Sequence, residues 1–190
     1  MSDIAHLAAA IFRKGAGRER VLVAIAGPPA AGKSTLAEAL VPLLPEGSAF
    51  VLPMDAFHLD NRILEARGLM ARKGAPETFD FGGLRATLQR IRTRESDVVI
   101  PLFDRAEDFS RAGASVVGSE VKFVLAEGNY LLSDEEPWSG LAPMFDFAVF
   151  LDVSEGHAPG QARDRVFSND LPNARRVLTR RRPADMELKV

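Results

Sequence analysis

Apolar residues follow two patterns along the chain, short continuous runs and runs with helical spacing. The continuous runs predict buried strands at residues 21–26, 49–53, 98–103, 121–126 and 145–151, and weaker patterns add an edge strand at 116–117 and a final strand at 185–190. Helical spacing predicts an N-terminal helix at 4–12, a helix after residue 33, a helix at 83–94 and two helices within 159–180. Residues 60–82 are polar and irregular.

Strands that alternate with helices predict an α/β fold with a mostly parallel sheet covered on both faces. We expect residues 1–190 to form a single domain of this kind. Of the 190 residues, 46% are hydrophobic and 26% are charged, which is typical of a globular protein. The net charge of −2 excludes a strong general attraction to nucleic acid, and no apolar run approaches the length of a membrane span. With no cysteine in the chain, we expect a cytoplasmic protein without nucleic-acid or membrane partners.

A glycine-rich segment follows the first predicted strand directly. Residues 27–34 read Gly-Pro-Pro-Ala-Ala-Gly-Lys-Ser and match G-x-x-x-x-G-K-[ST], the phosphate-binding loop of nucleotide-binding proteins. A buried strand before it and an amphipathic helix after it provide the context that the motif requires. The alternative is a glycine-rich turn that carries a lysine by chance. The segment predicts binding of a nucleoside triphosphate with a magnesium ion.

Each residue type in this loop has a physical role. Gly27 and Gly32 allow backbone angles and a close approach that a Cβ atom would prevent, so that successive N–H groups form an anion-binding nest. Lys33 adds a mobile positive charge at the start of a helix, and the Ser34 hydroxyl can ligate magnesium. The predicted nucleotide-binding residues are Gly27, Ala30, Ala31, Gly32, Lys33, Ser34, Thr35 and Arg176.

Arg176 comes from a basic run of five arginines within residues 175–182. The run is either a solvated helix face or includes one or two side chains that pack on adenine or phosphates. We interpret residues 180–182 as ordinary surface. Arg105, Arg163, Arg165 and Arg176 are the arginines that we expect to matter for function.

Charged residues recur where predicted strands end. Asp55, Asp104, Arg105, Glu127 and Asp152 all follow an apolar run. Ligands of parallel α/β sheets bind outside the carboxyl ends of the strands. These five residues are therefore expected at one ligand-binding edge.

Asp55 is the candidate general base, because phosphoryl transfer to a hydroxyl needs a carboxylate that orients the nucleophile and accepts its proton. A helix or turn cap is the alternative, since aspartate favours both positions. We expect His58 near the same pocket, as a wall residue or a substrate contact.

Glu127 and Asp152 compete as the acid that holds magnesium or its water. We favour Glu127, because Gly128 permits close backbone approach and Asn129 and Tyr130 can hydrogen-bond a substrate. Asp152 can instead cap the segment that follows it. Ser34 and Glu127 are therefore the predicted metal ligands.

The sequence Asp-Phe-Gly-Gly at residues 80–83 resembles motifs of two other classes. Its first three residues match the magnesium motif of protein kinases, and the four together fit the D-x-x-G of GTPase switches. The companion motifs of both classes are missing from the chain. We interpret the segment as a polar loop on the substrate side.

Six segments occur in the order that is typical of one kinase group. They are residues 27–34, 53–61 (Pro-Met-Asp-Ala-Phe-His-Leu-Asp-Asn), 72–80 (Arg-Lys-Gly-Ala-Pro-Glu-Thr-Phe-Asp), 104–105 (Asp-Arg), 127–132 (Glu-Gly-Asn-Tyr-Leu-Leu) and 169–175 (Asn-Asp-Leu-Pro-Asn-Ala-Arg). Together they resemble the uridine kinase, phosphoribulokinase and bacterial pantothenate kinase group. More narrowly, they resemble the bacterial branch described as nucleoside kinase-like or fructose transport system kinase. The resemblance covers most of the chain from Val21 onward.

The resemblance implies a three-layer α/β/α P-loop NTPase fold of the nucleoside and nucleotide kinase type, with a lid. It also implies ATP, Mg²⁺ and a small hydroxylated acceptor. It assigns the base role to Asp55 and the magnesium-side acid role to Glu127, and it makes Lys33 and Arg105 the other catalytic candidates. The residues expected at the acceptor are Asp55, His58, Arg72, Arg105, Asn129 and Tyr130, together with the rest of the stretch from Arg72 to Asp80.

The chain departs from this family where the lid belongs, at residues 154–168. The family has a basic helical segment after the strand that ends at Asp152, but here the chain passes at once to Glu-Gly-His-Ala-Pro-Gly at 155–160. Either the lid has been lost, or a mobile segment is missing from this sequence between Ser154 and Glu155, and we favour the second explanation. Loss of the lid would remove arginines that neutralise charge in the transition state.

We therefore expect an ATP-dependent kinase that transfers the γ-phosphate to a hydroxyl of a small metabolite, such as a sugar, a nucleoside or a pantothenate-like compound. A P-loop NTPase switch and a nucleotide-binding module without catalysis are the alternatives. Missing guanine motifs count against the switch, whereas the short lid keeps the module open. A homodimer is compatible with the sequence, which does not specify an oligomeric state.

Overall fold

The computed structural model describes residues 3–153 and 171–190 of the chain. Within them, the helices are α1 (Asp3–Lys14), α2 (Lys33–Leu40), α3 (Asn61–Ala66), α4 (Phe81–Arg92) and α5 (Leu171–Thr179). The strands are β1 (Val21–Ala26), β2 (Ala49–Pro53), β3 (Val98–Asp104), β4 (Phe109–Val117), β5 (Phe123–Gly128), β6 (Phe147–Asp152) and β7 (Met186–Lys189). Short 3₁₀ segments occur at Val41–Leu43, Met54–Phe57, Met70–Arg72, Pro76–Thr78 and Trp138–Met144.

The central sheet has five strands in the order β2-β5-β1-β6-β7, and each neighbouring pair is parallel. β1 and β5 occupy inner positions, and all six residues of each are buried. Such continuous burial is expected of a strand covered on both faces. The predicted α/β fold with a mostly parallel sheet is confirmed.

Alternate residues of β1 enter two separate cores. Val21, Val23 and Ile25 pack with the buried residues of α1 and α2, including Leu7, Ile11 and Leu40. Leu22, Ala24 and Ala26 pack on the other face, in a core that includes the buried side of α4 and the aromatic residues Phe79, Tyr130 and Trp138. Since strand side chains alternate between faces, one six-residue run is sufficient to hold three layers together.

One part of the predicted sheet is wrong. The runs at 98–103 and 116–117 do not join the parallel sheet; they belong to β3 and β4, which pair with each other antiparallel. β3 is buried on one face only, with Val98 and Ile100 inside and Val99 exposed. Its ladder shifts register between Ile100 and Leu102, around a proline that has no N–H to donate. Pro101 was the signal in the sequence against a central strand.

Residues 60–82 also contain more structure than predicted, since α3 and two 3₁₀ segments lie there. Asp80 does not lie within a loop but at the start of a helix. It caps α4, because its Oδ1 accepts a hydrogen bond of 2.8 Å from the Gly83 amide. The predicted lid at 154–168, its apparent break after Ser154, Arg163 and Arg165 lie outside the described residues. No helix in the described part of the chain is long and apolar enough to cross a membrane.

Candidate active site

The glycine-rich loop joins the carboxyl end of β1 to the start of α2. Gly32 has a φ of 83° and Ala30 a φ of 63°, so both lie in the left-handed region, which glycine adopts at low cost. A Cβ atom on Gly27 would stand 2.9 Å from the carbonyl oxygen of Leu151 in β6. Glycine at the two motif positions therefore has two separate causes, close packing at Gly27 and backbone conformation at Gly32.

Lys33 is nearly buried, with 8% of its surface exposed. Its Nζ donates a hydrogen bond of 2.8 Å to the carbonyl oxygen of Pro28 in the same loop. Burial lowers the pKa of Lys33 to about 8, although Glu127 and Asp55 oppose the change. A buried ammonium with a single described hydrogen bond is a favourable place for an anion to bind.

Ser34 and Glu127 meet beside this loop. The Ser34 hydroxyl donates a hydrogen bond of 3.1 Å to Oε1 of Glu127, at the end of β5. Glu127 is 5% exposed, and its burial raises the pKa of the carboxyl group, an effect that nearby Asp55 strengthens. Two oxygen ligands close together at the end of a phosphate-binding loop suit Mg²⁺, which takes a few protein oxygens and completes its shell with phosphates and waters. Asp152 ends β6, on the opposite side of β1 from β5.

Gly128 brings Asp55 to the same edge. A Cβ atom on Gly128 would lie 2.8 Å from Sδ and 3.0 Å from Cγ of Met54, and closer still to its Cβ. Only glycine leaves room for Met54 to pack directly on the end of β5. Asp55 follows Met54 in the same 3₁₀ segment, and it influences the pKa values of Lys33, Glu127 and His58. The sequence did not reveal this contact, because it joins residues far apart in the chain.

Arg105 reaches Asp55 from the turn between β3 and β4. Nη2 of Arg105 lies 3.5 Å from Oδ2 of Asp55, and the Arg105 side chain is 74% exposed. The hairpin is thus outside the sheet but still brings Arg105 to the predicted site. Asp104 does not extend toward the same ligand edge; its Oδ1 accepts hydrogen bonds from the amides of Ala106 and Glu107 in its own turn.

His58 forms a wall beside Asp55. Its ring stacks on Phe79 with centroids 4.0 Å apart, and it lies 5.1 Å from the Phe103 ring. Burial lowers the pKa of His58, so the neutral imidazole is favoured near pH 7, although Asp55 opposes this effect. Its Nδ1 is buried and has no hydrogen-bond partner among the described residues.

Of four other predicted residues, three are held by protein partners. Tyr130 is 2% exposed in the aromatic core, where its hydroxyl donates a hydrogen bond of 2.8 Å to the Gly74 carbonyl. Arg72 pairs with Glu77 at 2.6 Å on the surface, and Arg176 pairs with Glu135. Asn129 is half-buried and lines a surface depression with Arg176. Tyr130 is the one whose burial conflicts with substrate contact.

The loop residues Ala31 and Thr35 differ in exposure. Ala31 is buried, and its amide donates a hydrogen bond of 3.2 Å to the Pro28 carbonyl, whereas Thr35 is exposed on the first turn of α2. In the arginine run, Arg181 does not fit the predicted ordinary surface. Its guanidinium lies 3.8 Å from the centre of the Phe150 ring, and its side chain is only 19% exposed.

Lys73 lies in the stretch from Arg72 to Asp80 that the family resemblance assigns to the acceptor site, but the sequence did not predict its burial. This lysine is 7% exposed, and its Nζ donates hydrogen bonds to Oδ1 of Asn61 at 2.8 Å and to the Asp108 carbonyl at 2.6 Å. It also pairs with the Asp108 carboxylate at 2.9 Å. Lys73 therefore fastens the tip of the β3–β4 hairpin to the start of α3. A buried lysine cannot be recognised from a polar stretch such as residues 60–82 without knowing what folds over it.

The structure thus gathers Lys33, Ser34, Asp55, Glu127 and Arg105 at the carboxyl edge of the sheet. The functional roles assigned to them stay predictions, but their common location agrees with the strand-end argument. Asp152 ends β6, which pairs with β1 on the side away from β5, and Asp104 accepts hydrogen bonds within its own turn.

Comparisons with known proteins complete the description. The chain matches the crystal structure of a "putative fructose transport system kinase" from Silicibacter sp. TM1040, with 40% identity, a TM-score of 0.90, and coverage of 99% of this chain and 100% of that one. It is 36% identical to the uncharacterized protein YggC of Escherichia coli, over 89% of this chain and 77% of that protein. It is 34% identical to a "putative uridine kinase" of Schizosaccharomyces pombe, over 77% of this chain and 65% of that protein. No protein-family model matches the chain.

Several bacterial pantothenate kinases are similar over a smaller part of their length. For the enzyme of Parvibaculum lavamentivorans, the identity is 31% over 73% of this chain and 47% of that protein. The chain therefore spans about half the length of the pantothenate kinases that it matches.

Proposed function

This chain belongs to the P-loop kinases that are related to uridine kinase and bacterial pantothenate kinase, and we propose that it transfers the γ-phosphate of ATP to a hydroxyl group of a small metabolite. The observation that carries the proposal is the placement of Asp55. This carboxylate lies beside the phosphate-binding loop, close enough to influence the pKa values of Lys33 and Glu127, and it is within 3.5 Å of Arg105.

The nucleotide side is formed by the loop and the start of α2. In the proposed complex, backbone N–H groups of residues 27–34 surround the phosphates, and Lys33 transfers its hydrogen bond from the Pro28 carbonyl to a phosphate oxygen. Protonated Lys33 neutralises phosphate charge in a nearly buried setting, where an ionic interaction is strong.

Ser34 and Glu127 would hold the magnesium ion or its bound water. Their oxygens are already hydrogen-bonded to each other, so both would be close enough to hold one cation or a water bound to it. When bound, the ion neutralises charge on the phosphate oxygens. Among the described residues there is no cluster of three or more histidines or carboxylates, which agrees with a site that depends on phosphates and waters for its remaining ligands.

Asp55 would orient the acceptor hydroxyl and accept its proton during transfer. The Asp55 side chain is 32% exposed, so an acceptor can reach it from solvent. His58 and Phe79 form an adjacent wall that excludes water on one side. The acceptor is a sugar, a nucleoside or a pantothenate-like compound in this proposal, since the relatives are named for substrates of these kinds.

Acceptor-dependent ATP turnover tests the proposal. ADP release is measured with ATP and Mg²⁺ alone and then with a panel of sugars, nucleosides and pantothenate. We expect little ADP without an acceptor and a rate increase of about 10²-fold or more with a true acceptor. ATP turnover that no acceptor changes would indicate a switch-type NTPase, and ATP binding without turnover would indicate a module without catalysis. Lys33→Ala serves as the inactive control.

A further inference from the structure

We infer that Arg105 binds an anionic group of the acceptor, so that the acceptor is a small hydroxy compound that also carries a carboxylate or a phosphate. This inference rests on the proposed kinase function and narrows it.

Arg105 lies on the open side of Asp55. Lys33 and Glu127, on the nucleotide side, are 8% and 5% exposed, whereas the Arg105 side chain is 74% exposed. An acceptor whose hydroxyl approaches Asp55 from solvent therefore passes next to this guanidinium. Arginine presents several N–H donors in a planar fork that suits a carboxylate or a phosphate.

Two of the three carboxylates beside Arg105 in the hairpin turn are already used, and the third, on Glu107, is exposed and takes part in none of the described ion pairs. Oδ1 of Asp104 accepts hydrogen bonds from two backbone amides of its own turn, and Oδ2 of Asp104 lies 3.9 Å from Nε of Arg111. Asp108 pairs with Lys73 at 2.9 Å. Arg105 takes part in one of the described ion pairs, with Asp55, and the N–O distance of 3.5 Å is at the limit of hydrogen-bond length. The positive charge of Arg105 is thus available to a ligand.

The contact between Arg105 and Asp55 also explains why the ligand should be anionic. While Arg105 points at Asp55, it competes with the acceptor hydroxyl for the same carboxylate. An anionic group on the acceptor gives Arg105 a new partner and leaves Asp55 to the hydroxyl. A neutral acceptor offers no such exchange.

The backbone of Arg105 is held in place although its side chain is exposed. Nζ of Lys73 donates hydrogen bonds to the Asp108 carbonyl at 2.6 Å and to Oδ1 of Asn61 at 2.8 Å. The Ser110 hydroxyl donates a hydrogen bond of 3.3 Å to the His58 carbonyl. The hairpin tip is therefore attached both to α3 and to the segment that carries Asp55. Because the Arg105 backbone is held and its guanidinium is exposed, Arg105 can bind an anionic group that lies at a set distance from the reacting hydroxyl.

The aromatic side chains around Asp55 give no comparable support to a nucleoside. His58 stacks on Phe79, and Phe79, Tyr130 and Trp138 pack edge to face or tilted against one another. Phe103 is covered by His58 and by Lys73, whose Nζ lies 5.4 Å from the ring centre. Each of these described rings packs against other protein side chains, and only His58 and Phe103 among them are partly exposed.

The test uses pairs of compounds that differ in one anionic group: D-glycerate and glycerol, pantothenate and pantothenol, and fructose 6-phosphate and fructose. Acceptor kcat and KM, and KM for ATP, are measured for the wild type, Arg105→Gln, Arg105→Lys and the control Arg111→Gln from the same hairpin. We expect the anionic member of at least one pair to have a kcat/KM about tenfold or more above its neutral partner. Arg105→Gln should raise KM for that acceptor about tenfold or more without changing KM for ATP. Arg105→Lys should be intermediate, and Arg111→Gln should match the wild type.

The pair that responds distinguishes a carboxylate from a phosphate. A neutral compound used as well as its anionic partner would overturn the inference and leave the kinase function standing. An Arg105→Gln variant that lowers kcat with an unchanged acceptor KM would also overturn it, because Arg105 would then act on the transferring phosphate. The inference also fails if none of the anionic compounds is phosphorylated and none raises the melting temperature of the protein measured with a non-hydrolysable ATP analogue and Mg²⁺. Failure to bind ATP itself would instead count against the proposed function.

Discussion

The Ser34 hydroxyl donates a hydrogen bond of 3.1 Å to Oε1 of Glu127, although the two residues are 93 positions apart in the chain. Ser34 comes from the phosphate-binding loop, and Glu127 ends the strand that lies between β1 and β2 in the sheet. This bond links the part of the site that would hold phosphates to the part that would hold a cation. Glu127 is buried and Ser34 is half-buried, so both partners are sensitive to substitution.

Glu127→Gln should weaken the magnesium dependence of turnover, because an amide oxygen carries no full negative charge. We expect the Mg²⁺ concentration for half-maximal rate to rise about tenfold or more at constant ATP. Glu38→Gln, on the exposed side of α2, is the matched control. A Glu127→Gln enzyme with the wild-type magnesium titration would exclude Glu127 from the metal site.

ATP affinity should fall as the pH rises through about 8, the value to which burial lowers the pKa of Lys33. Below this pH the folded protein carries a protonated Lys33 that attracts phosphate, and above it an increasing fraction is neutral. Because phosphate favours the protonated form, the complex takes up a proton, and affinity decreases up to about tenfold per pH unit above pH 8. Calorimetric titrations between pH 7.5 and 9.5, in buffers with different ionisation enthalpies, measure both the affinity and the proton uptake.

Lys33→Ala is the reference for this pH profile. It should bind ATP weakly at every pH and show no proton uptake, while its melting temperature stays near that of the wild type. A wild-type affinity that does not change between pH 7.5 and 9.5 would mean that Lys33 does not titrate in this range. Near-normal turnover of Lys33→Ala would contradict the nucleotide-binding role of the loop.

The parts of the fold that could be predicted are those encoded in short segments. β1, the loop and the start of α2 follow one another in sequence, and their residue types define the local geometry without help from the rest of the chain. Glu127 could be expected at the ligand edge because it ends a fully apolar run. The meeting of Ser34 with Glu127 then follows from the parallel pairing of β1 with β5, whereas the order of the strands was not predicted.

The errors concern features that depend on packing between distant segments. β3 carries an apolar run as strong as that of a central strand, and only Pro101 indicates that it lies elsewhere. Tyr130 has a polar group that can bind a substrate, but its ring fills the aromatic core and its hydroxyl meets Gly74. Lys73 is buried because the hairpin tip folds onto it, which a polar sequence does not reveal.

Asp55→Asn should reduce kcat about 10²- to 10⁴-fold, because the amide keeps the size of the side chain but cannot accept the proton. ATP affinity should remain near that of the wild type, since Lys33 and the loop amides are unchanged. Asp60→Asn provides a control, because Asp60 is an exposed cap of α3 whose Oδ1 accepts a hydrogen bond from the Arg62 amide. Rapid-quench measurement of product formation distinguishes the chemical step from product release.

Two results would contradict the assignment of Asp55. The first is an Asp55→Asn enzyme that turns over at the wild-type rate. The second is a loss of ATP affinity as large as the loss of kcat, which would make Asp55 a nucleotide-binding residue rather than a base. If Asp55→Asn is active and Glu127→Gln is inactive, the assignment of the base role to Asp55 is wrong.

Gly128→Ala should reduce both stability and activity, because the new Cβ would lie within 3.0 Å of the Met54 side chain, including its Cβ, which is fixed to the backbone. Relief of this contact requires the end of β5 or the Met54 backbone to shift. We expect the free energy of unfolding to fall by about 1–3 kcal/mol. Since Asp55 follows Met54, a displacement of about 1 Å would lower kcat about 10²-fold.

Gly140→Ala is the control, because a Cβ there meets nothing within 4 Å, and its stability should stay within about 0.5 kcal/mol of the wild type. Denaturant unfolding and steady-state kinetics of the two variants test this prediction. A Gly128→Ala enzyme as stable and as active as Gly140→Ala would show that Gly128 does not position Asp55. A destabilised Gly128→Ala enzyme with normal kcat would show that Met54 moves without Asp55.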